Sequence, residues 1–301
     1  MNKWVTYKNG NYDVFFNTEN GTKIRKNDLD FFAPAFPESM DIKITNCCKH
    51  GCKMCHENST PDGLHGDLDV EFINTLHPYT ELAIGGGNPL EHPRLEEFLY
   101  RCKELNLIPS MTVHQSDFIE NIDLLRRYRD EKLIYGVGVS ITVVTEELIS
   151  LLKEFPNAVC HIIAGITSEN VINKLAHNNL KTLILGYKVF RRGEELYAKD
   201  HVSIDNGINY MYTVLPQMVN EGWFNTISFD NLAIEQLQPK RLMSDDSYDE
   251  FFMGTDGQFT MYVDLVNKQF AVGSTATDRF DLLPDIVDMF SKVREVSSND
   301  R

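Results

Sequence analysis

Short β-rich runs alternate with amphipathic stretches of helix length along most of this chain, and that alternation limits the possible folds most strongly. The predicted strands cover residues 40–45, 82–85, 110–114, 135–141, 159–166 and 182–187. Apolar residues at three- and four-residue spacing predict helices over 93–105, 121–133 and 146–155. Strand–helix alternation of this kind produces parallel strands joined by right-handed crossovers. The sequence therefore predicts an α/β fold.

Six successive units favour a partial (β/α)6 TIM-type barrel over a Rossmann sheet, because no Gly-x-Gly-x-x-Gly follows the first strand. Two Asn-Gly pairs near the N-terminus predict hairpins. Beyond residue 190 the alternation fades, leaving a predicted hairpin over 255–272 and a final helix over 282–296. We therefore predict an N-terminal hairpin region (1–37), a barrel core (38–190) and a C-terminal extension (191–301) packed on the barrel. Both terminal regions are candidate covers for the barrel mouth.

Charge and hydropathy argue against several classes of protein. With 44 acidic and 29 basic residues the chain carries a net charge of −15, which disfavours nucleic-acid binding through phosphates. No run approaches the roughly 18 apolar residues that span a bilayer. We expect a soluble, cytoplasmic protein with neither membrane nor nucleic acid as its partner.

Four of the six cysteines cluster directly after the first core strand, at positions 47, 48, 52 and 55. A reducing cytoplasm disfavours disulfides, so such clustering indicates metal or redox chemistry. Cys48, Cys52 and Cys55 form Cys-x3-Cys-x2-Cys, whose soft thiolates can converge on one iron–sulfur cluster or one zinc ion. The zinc alternative needs a fourth ligand, for which His50, His56 and Cys47 are the candidates. The remaining cysteines, Cys102 and Cys160, lie on apolar faces and are predicted to be core residues.

A glycine run ends the second strand, in the sequence AIGGGNPLEHP. Glycines at this position let the backbone approach a ligand closely. Since active-site groups of parallel barrels gather at the carboxyl ends of the strands, the later strand ends supply further candidates. These are His114, Gln115, Ser140, Thr142, Gly165, Thr167, Tyr187 and Lys188. The basic group Lys188, Arg191 and Arg192 is either a site for an anionic part of a substrate or a solvated charge cluster.

The cysteine spacing and the glycine run together resemble the radical SAM superfamily. In that family the cysteine loop holds a 4Fe–4S cluster, S-adenosylmethionine (SAM) binds the open fourth iron, and a Gly-Gly-Glu-Pro motif contacts its amino group. The resemblance implies that Cys48, Cys52 and Cys55 are the cluster ligands and that Met54 lies beside the adenine. The SAM-binding motif would then be Gly86, Gly87, Asn88 and Pro89, with Asn88 in place of the usual acidic residue.

The same resemblance suggests roles at later strand ends and a reaction. Ser140 would contact the SAM ribose, Gly165 would lie near the adenine, and His114 is a candidate catalytic residue of the substrate site. Reductive cleavage of SAM would yield a 5′-deoxyadenosyl radical that abstracts hydrogen from the substrate. The electron would come from a donor such as flavodoxin or ferredoxin.

The C-terminal region bears on the substrate. No cysteine follows Cys160, which excludes an auxiliary cluster built from C-terminal cysteines. The hairpin at 255–272 resembles, in position, the C-terminal domain of relatives that modify peptides, and this favours a peptide or protein substrate. The alternatives are a small metabolite or nucleotide, and a zinc-stabilised binding module without catalysis.

Overall fold

The chain begins with a small antiparallel sheet of three strands, β1 (Trp4–Asn9), β2 (Tyr12–Asn17) and β3 (Lys23–Lys26). This is a computed structural model, and it describes residues 3–29 and 31–299. The turn between β1 and β2 passes through Gly10, whose φ of +59° is accessible to glycine. The predicted N-terminal hairpin is therefore present, extended by a third strand.

Six parallel strands form the centre of a second sheet, which has ten strands. They are β4 (Ser39–Thr45), β5 (Glu81–Gly86), β6 (Ile108–His114), β7 (Gly136–Ser140), β8 (Ala158–Ile163) and β9 (Lys181–Leu185). Each strand pairs in parallel with the next one along the chain. All six predicted strands are present, and the α/β class is confirmed.

The C-terminal part of the chain adds strands at both edges of this sheet. On one side, β10 (Thr226–Phe229) pairs in parallel with β9. On the other side, β11 (Thr260–Asp264) pairs in parallel with β4, and β12 (Gln269–Ala271) and β13 (Phe280–Asp281) follow in antiparallel order. The predicted hairpin at 255–272 is thus β11–β12, with its first strand built into the parallel sheet.

The predicted barrel is not confirmed, because no closure of the sheet is found among the described residues. The strand order runs from β10 through β9 and β4 to β13. A barrel closed through its six central strands would require β4 to pair with β9. The outer edge of β4 is occupied by β11 and that of β9 by β10, so these two strands have no free edges to join.

Helices connect the strands. They are α1 (Leu95–Glu104), α2 (Gln115–Glu120), α3 (Ile122–Asp130), α4 (Glu146–Glu154), α5 (Glu169–Leu175), α6 (Arg192–Asn220), α7 (Asn231–Leu237), α8 (Asp245–Phe251) and α9 (Ile286–Asn299). The longest, α6, is kinked at Asp200 and continues through Pro216. Among the described residues, no helix has the length and apolar character needed to cross a bilayer.

The two faces of the parallel sheet differ in chemistry. One face packs against the helices in the main hydrophobic core, and Cys102 and Cys160 are buried there as predicted. The opposite face, called the polar face below, is formed by the alternate residues of each strand. It includes Asp41, Lys43, Ala83, Gly85, Ser110, Thr112, Gly138 and His161. Many of these side chains are small or absent, and Asp41 and Ala83 on this face are exposed.

The N-terminal sheet docks at the amino ends of the parallel strands. The guanidinium of Arg25 donates to both carboxylate oxygens of Glu38, at 2.9 and 3.0 Å, and Glu38 directly precedes β4. The ammonium of Lys23 lies 2.7 Å from the carboxylate of Glu81, the first residue of β5. The expectation that this region covers the mouth is therefore wrong, since the candidate site lies at the carboxyl ends.

Candidate active site

The cysteine loop, residues 46–66, leaves the carboxyl end of β4 and returns beside it. The amide of Gly66 donates to the carbonyl of Ile44 at 2.8 Å, and the amide of Cys48 donates to the carbonyl of Thr60 at 2.9 Å. Four half-buried free thiols lie on this loop, those of Cys47, Cys48, Cys52 and Cys55. The loop is therefore closed by backbone hydrogen bonds on both sides of the cysteine motif.

The thiols of the motif act on one another electrostatically. Burial raises the pKa of Cys48, and its neighbours Cys52 and Cys55 raise it further. Burial and Cys55 likewise raise the pKa of Cys52. Neighbouring thiols that resist ionisation in the free protein become thiolates when a metal supplies positive charge. This donor set fits an iron–sulfur cluster ligated by three cysteines.

The geometry shows no preassembled site for a single metal ion among the described residues. Within the part of the chain that the structure describes, no group of three or more histidine, cysteine, aspartate or glutamate side chains is arranged around a position for a metal ion. A structural zinc ion needs four ligands in a tetrahedron, at about 2.0 to 2.3 Å. The cysteine sulfurs that hold an iron–sulfur cluster need not converge on one position, because each of them binds a different iron atom.

The glycine run at the end of β5 packs directly against the cysteine loop. The amide of Gly87 donates to the carbonyl of Thr45 at 2.7 Å, and the amide of Asn88 donates to the carbonyl of Cys47 at 2.8 Å. A side chain on Gly87 would place its Cβ 2.2 Å from the carbonyl oxygen of Cys47. The two motifs found in the sequence are therefore one structural unit, joined through backbone atoms.

Gly86 provides a stability test of this contact. Its φ is +103°, and an added Cβ would lie 2.4 Å from the carbonyl oxygen of Thr45. We expect Gly86→Ala to lower the free energy of unfolding by at least about 1–3 kcal/mol, the cost of a strained backbone. Gly85→Ala is the matched control, because its Cβ would meet nothing within 4 Å. Urea denaturation measures both variants, and equal midpoints would contradict the prediction.

Asn88, the departure from the family motif, is buried and has a structural role. Its side-chain oxygen accepts a hydrogen bond from the amide of Leu90 at 3.2 Å, which caps the short 3-10 helix Pro89–Glu91. Asparagine suits this position because its side chain mimics a backbone turn. The residue shapes the loop without supplying a negative charge.

A buried group of charges lies beneath the cysteine loop. The ammonium of Lys43, on β4, is 2.9 Å from a carboxylate oxygen of Glu57 and 3.4 Å from one of Asp264 on β11. The hydroxyl of Tyr262 donates to Glu57 at 3.2 Å. The C-terminal strand β11 thus contributes Tyr262, which contacts the loop residue Glu57, and Asp264, which contacts the Lys43 partner of Glu57.

Electrostatics keep Glu57 ionised. Burial alone would raise its pKa, but the hydrogen bond from His56 and the charge of Lys43 outweigh burial and hold the pKa well below the ordinary value. Burial and the charge of Lys188 lower the pKa of His56 itself. His56 contacts Glu57 directly, with its Nε2 3.4 Å from a carboxylate oxygen.

Two of the predicted strand-end residues, His114 and Ser140, lie next to each other on neighbouring strands. Ser140, at the end of β7, is in register with His114 on one side and His161 on the other. The ring of His114 lies 4.1 Å, centroid to centroid, from the ring of His50 in the cysteine loop. His50 in turn contacts the buried carboxylate of Asp117. His114 therefore borders the cysteine loop, and Ser140 lies beside His114 on the next strand.

Other strand-end candidates have structural partners. The side-chain oxygen of Gln115 accepts from the amide of Thr142 at 2.6 Å, and the hydroxyl of Thr167 accepts from the amide of Ile163 at 2.8 Å. Gly165 is packed against α6: an added Cβ would lie 2.9 Å from the carbonyl oxygen of Ile204. Helix packing thus accounts for this glycine, and its contact with adenine remains a proposal.

The basic residues after β9 contact the protein rather than an open substrate site. Arg191 donates to the carbonyl of Glu57 at 3.0 Å, and Arg192 donates to the carbonyl of Ser59. The ammonium of Lys188 donates to the hydroxyl of Ser274 at 3.1 Å. The two arginines therefore form neither an anion site nor a solvated charge cluster, because both donate hydrogen bonds to the backbone of the cysteine loop.

Sequence reasoning missed two polar residues on the polar face, Asp41 and His161. Asp41 is solvent-accessible, yet desolvation by the surrounding protein raises its pKa to about 6, against the opposing charge of Lys188. Burial lowers the pKa of His161 to about 4. The ring of His161 lies over Gly138, where an added Cβ would be 2.3 Å from it. The sequence did offer a signal for these two residues, because each is a polar side chain within an otherwise apolar strand.

Comparison with solved structures shows a related fold. The crystal structure of Streptococcus suis SuiB bound to the precursor peptide SuiA matches with a TM-score of 0.63 and 12% identity, over 97% of this chain and 88% of that one. SuiB bound to S-adenosylmethionine gives 0.62 and 12%, over 98% and 89%. SuiB alone gives 0.60 and 11%, over 98% and 90%. No protein-family model matches the chain, and no curated protein matches its sequence.

Proposed function

We propose that this protein is a radical SAM enzyme that acts on a peptide or protein. The observation that carries the proposal is the packing of the glycine run of β5 against the Cys-x3-Cys-x2-Cys loop of β4. Its support comes from a fold similar to that of SuiB, which has been crystallised with SAM and with a precursor peptide. The sequence motifs and the fold are independent observations, and both point to the same class of enzyme.

Three cysteines would hold a 4Fe–4S cluster, namely Cys48, Cys52 and Cys55. When bound, this cluster supplies the electron for reductive cleavage of SAM to a radical that abstracts hydrogen from the substrate. The chain orients and shields the reactants. Met54 and the backbone of Gly86 and Gly87 would position SAM, and Ser140 would contact its ribose.

The polar face of the sheet is the proposed substrate site. It begins beside the cysteine loop at His114 and Ser140 and continues along the strands to Asp41 and His161. Polar side chains among glycines suit a ligand that brings its own bulk and hydrogen-bonding groups. A peptide segment meets this description, and SuiB offers a precedent for a peptide ligand.

The test of the proposed function is anaerobic reconstitution with iron and sulfide, followed by dithionite and SAM. We expect about four irons per chain, the composition of a 4Fe–4S cluster, and formation of 5′-deoxyadenosine. A protein with a full complement of iron that forms no 5′-deoxyadenosine would contradict the catalytic proposal. Flavodoxin or ferredoxin, the proposed donors, should replace dithionite.

A small metabolite or nucleotide is the competing substrate class. A deuterated peptide substrate would transfer deuterium into 5′-deoxyadenosine, because the abstracted hydrogen ends on the 5′ carbon. Deuterium transfer from a labelled metabolite, with none from peptides, would favour the competing class.

A further inference from the structure

Arg192 carries a polar group that the protein itself does not satisfy. Among the described residues, two buried side-chain polar atoms lack a hydrogen-bond partner, the hydroxyl of Tyr7 and the Nε of Arg192. Tyr7 belongs to the N-terminal sheet, whereas Arg192 is the first residue of α6 and lies against the cysteine loop. A buried donor without an acceptor costs free energy, so an unpaired one at a functional site calls for a partner.

The position of this guanidinium is fixed by its neighbours. Its Nη2 donates to the carbonyl of Ser59, and the adjacent Arg191 donates to the carbonyl of Glu57. An added Cβ on Gly193 would lie 3.6 Å from the carbonyl oxygen of Met54. The start of α6 therefore packs along residues 54–59 of the cysteine loop, a stretch that includes Cys55. Because the guanidinium is planar, the bond to Ser59 restricts the direction of the Nε–H group.

Arg192 contacts the cysteine loop next to two of the motif cysteines. Thr60, which follows Ser59, accepts a hydrogen bond from the amide of Cys48 at 2.9 Å, and Met54, beside the start of α6, adjoins Cys55. Sulfur accepts hydrogen bonds weakly as a thioether or thiol, and more strongly when it carries negative charge. Hydrogen bonds to the sulfurs, together with net charge, set the reduction potentials of iron–sulfur clusters.

We propose that Arg192 is a positioning residue whose Nε–H donates to a sulfur of the cluster held by the cysteine loop and raises the reduction potential of that cluster. The inference rests on the proposed function, because it requires the cluster. Its physical basis is that one-electron reduction adds negative charge to the cluster. A cationic donor at the sulfur stabilises the reduced form more than the oxidised form.

The test is a redox titration of the anaerobically reconstituted protein, followed by electron paramagnetic resonance. In Arg192→Gln we expect the ratio of reduced to oxidised cluster at a fixed potential to fall about tenfold, which is about 59 mV for a one-electron couple. Arg192→Lys keeps the charge without the planar donor and should give a smaller fall. Arg191→Gln is the matched control, because it removes the same charge from the same loop while the Arg191 guanidinium already has its partner in the carbonyl of Glu57. The potential of Arg191→Gln should therefore fall less than that of Arg192→Gln.

Each outcome has a definite meaning. An unchanged potential in Arg192→Gln at equal iron content overturns this inference and leaves the proposed function standing. An equal fall in Arg191→Gln also overturns it, because the effect would then be a general one of charge. If Arg192→Gln folds but loses iron, Arg192→Lys decides: a lower potential supports the inference and an unchanged one overturns it. A wild-type protein that binds no iron overturns both proposals.

Discussion

Replacing Cys52 by alanine is expected to abolish cluster assembly and to reduce formation of 5′-deoxyadenosine by more than about 100-fold. The estimate is a lower bound, because loss of residues that merely support metal ligands costs 10–100-fold. A cluster held by three thiolates that loses one of them keeps two protein ligands, which leaves a second iron exposed. Iron content and the absorbance of the reconstituted protein measure the first effect, and 5′-deoxyadenosine measures the second.

Cys47 is the matched control for this experiment. It is adjacent to Cys48 in the sequence, but its thiol donates to the carbonyl of Pro61 at 3.1 Å. The Cys47→Ala protein should therefore load iron and cleave SAM as the wild type does. Loss of iron in Cys47→Ala, or its retention in Cys52→Ala, would show that the ligand assignment is wrong.

Lys43→Met is expected to lower the free energy of unfolding by about 3–5 kcal/mol, the cost of breaking a buried ion pair. The side chains of Lys43, Glu57 and Asp264 are 1%, 8% and 2% exposed. Removing the ammonium leaves two buried carboxylates without the cation that they share, and Glu57 keeps the more distant Arg191 at 3.8 Å. The cysteine loop should also lose its hold on β4, so iron loading is expected to fall with stability.

The loss of stability in Lys43→Met should depend on pH. The pKa of Glu57 is held below its unfolded value, so its stabilising contribution is present above the unfolded pKa, about 4.3, and is lost as the pH falls toward the folded pKa. In Lys43→Met, the loss of the ammonium makes the ionised form of Glu57 less stable. The difference in unfolding free energy between the two proteins should therefore be largest near neutral pH and should narrow on acidification.

Lys240→Met serves as the control for the loss of a lysine charge. Lys240 pairs with Asp245 at 2.9 Å, but the two side chains are 53% and 81% exposed. An exposed pair contributes about 0–1 kcal/mol, so this variant should denature close to the wild type in urea. Equal midpoints for Lys43→Met and Lys240→Met would show that the buried charges do not stabilise the fold.

Local sequence patterns predicted the six central strands and the helices α1, α3 and α4, because periodicity and strand-breaking residues act over neighbouring positions. They missed β10, which is only four residues long. They also missed that β11 joins β4, since a parallel pairing between Thr260 and Ser39 has no local signature. This second pairing is what leaves the sheet open and brings Tyr262 and Asp264 beneath the cysteine loop.

The sequence by itself determined the parts of this protein that lie within a few residues of one another: the cysteine spacing, the glycine run and the order of strands and helices. The tertiary structure alone decided which distant residues support them. Arg192 reaches Ser59 across 133 positions, and Glu57 meets Tyr262 across 205. Such contacts arise from packing after the chain has folded, so no spacing in the sequence records them. The cysteine motif can be recognised in the sequence, whereas the charged residues that contact its loop are identified only from the tertiary structure.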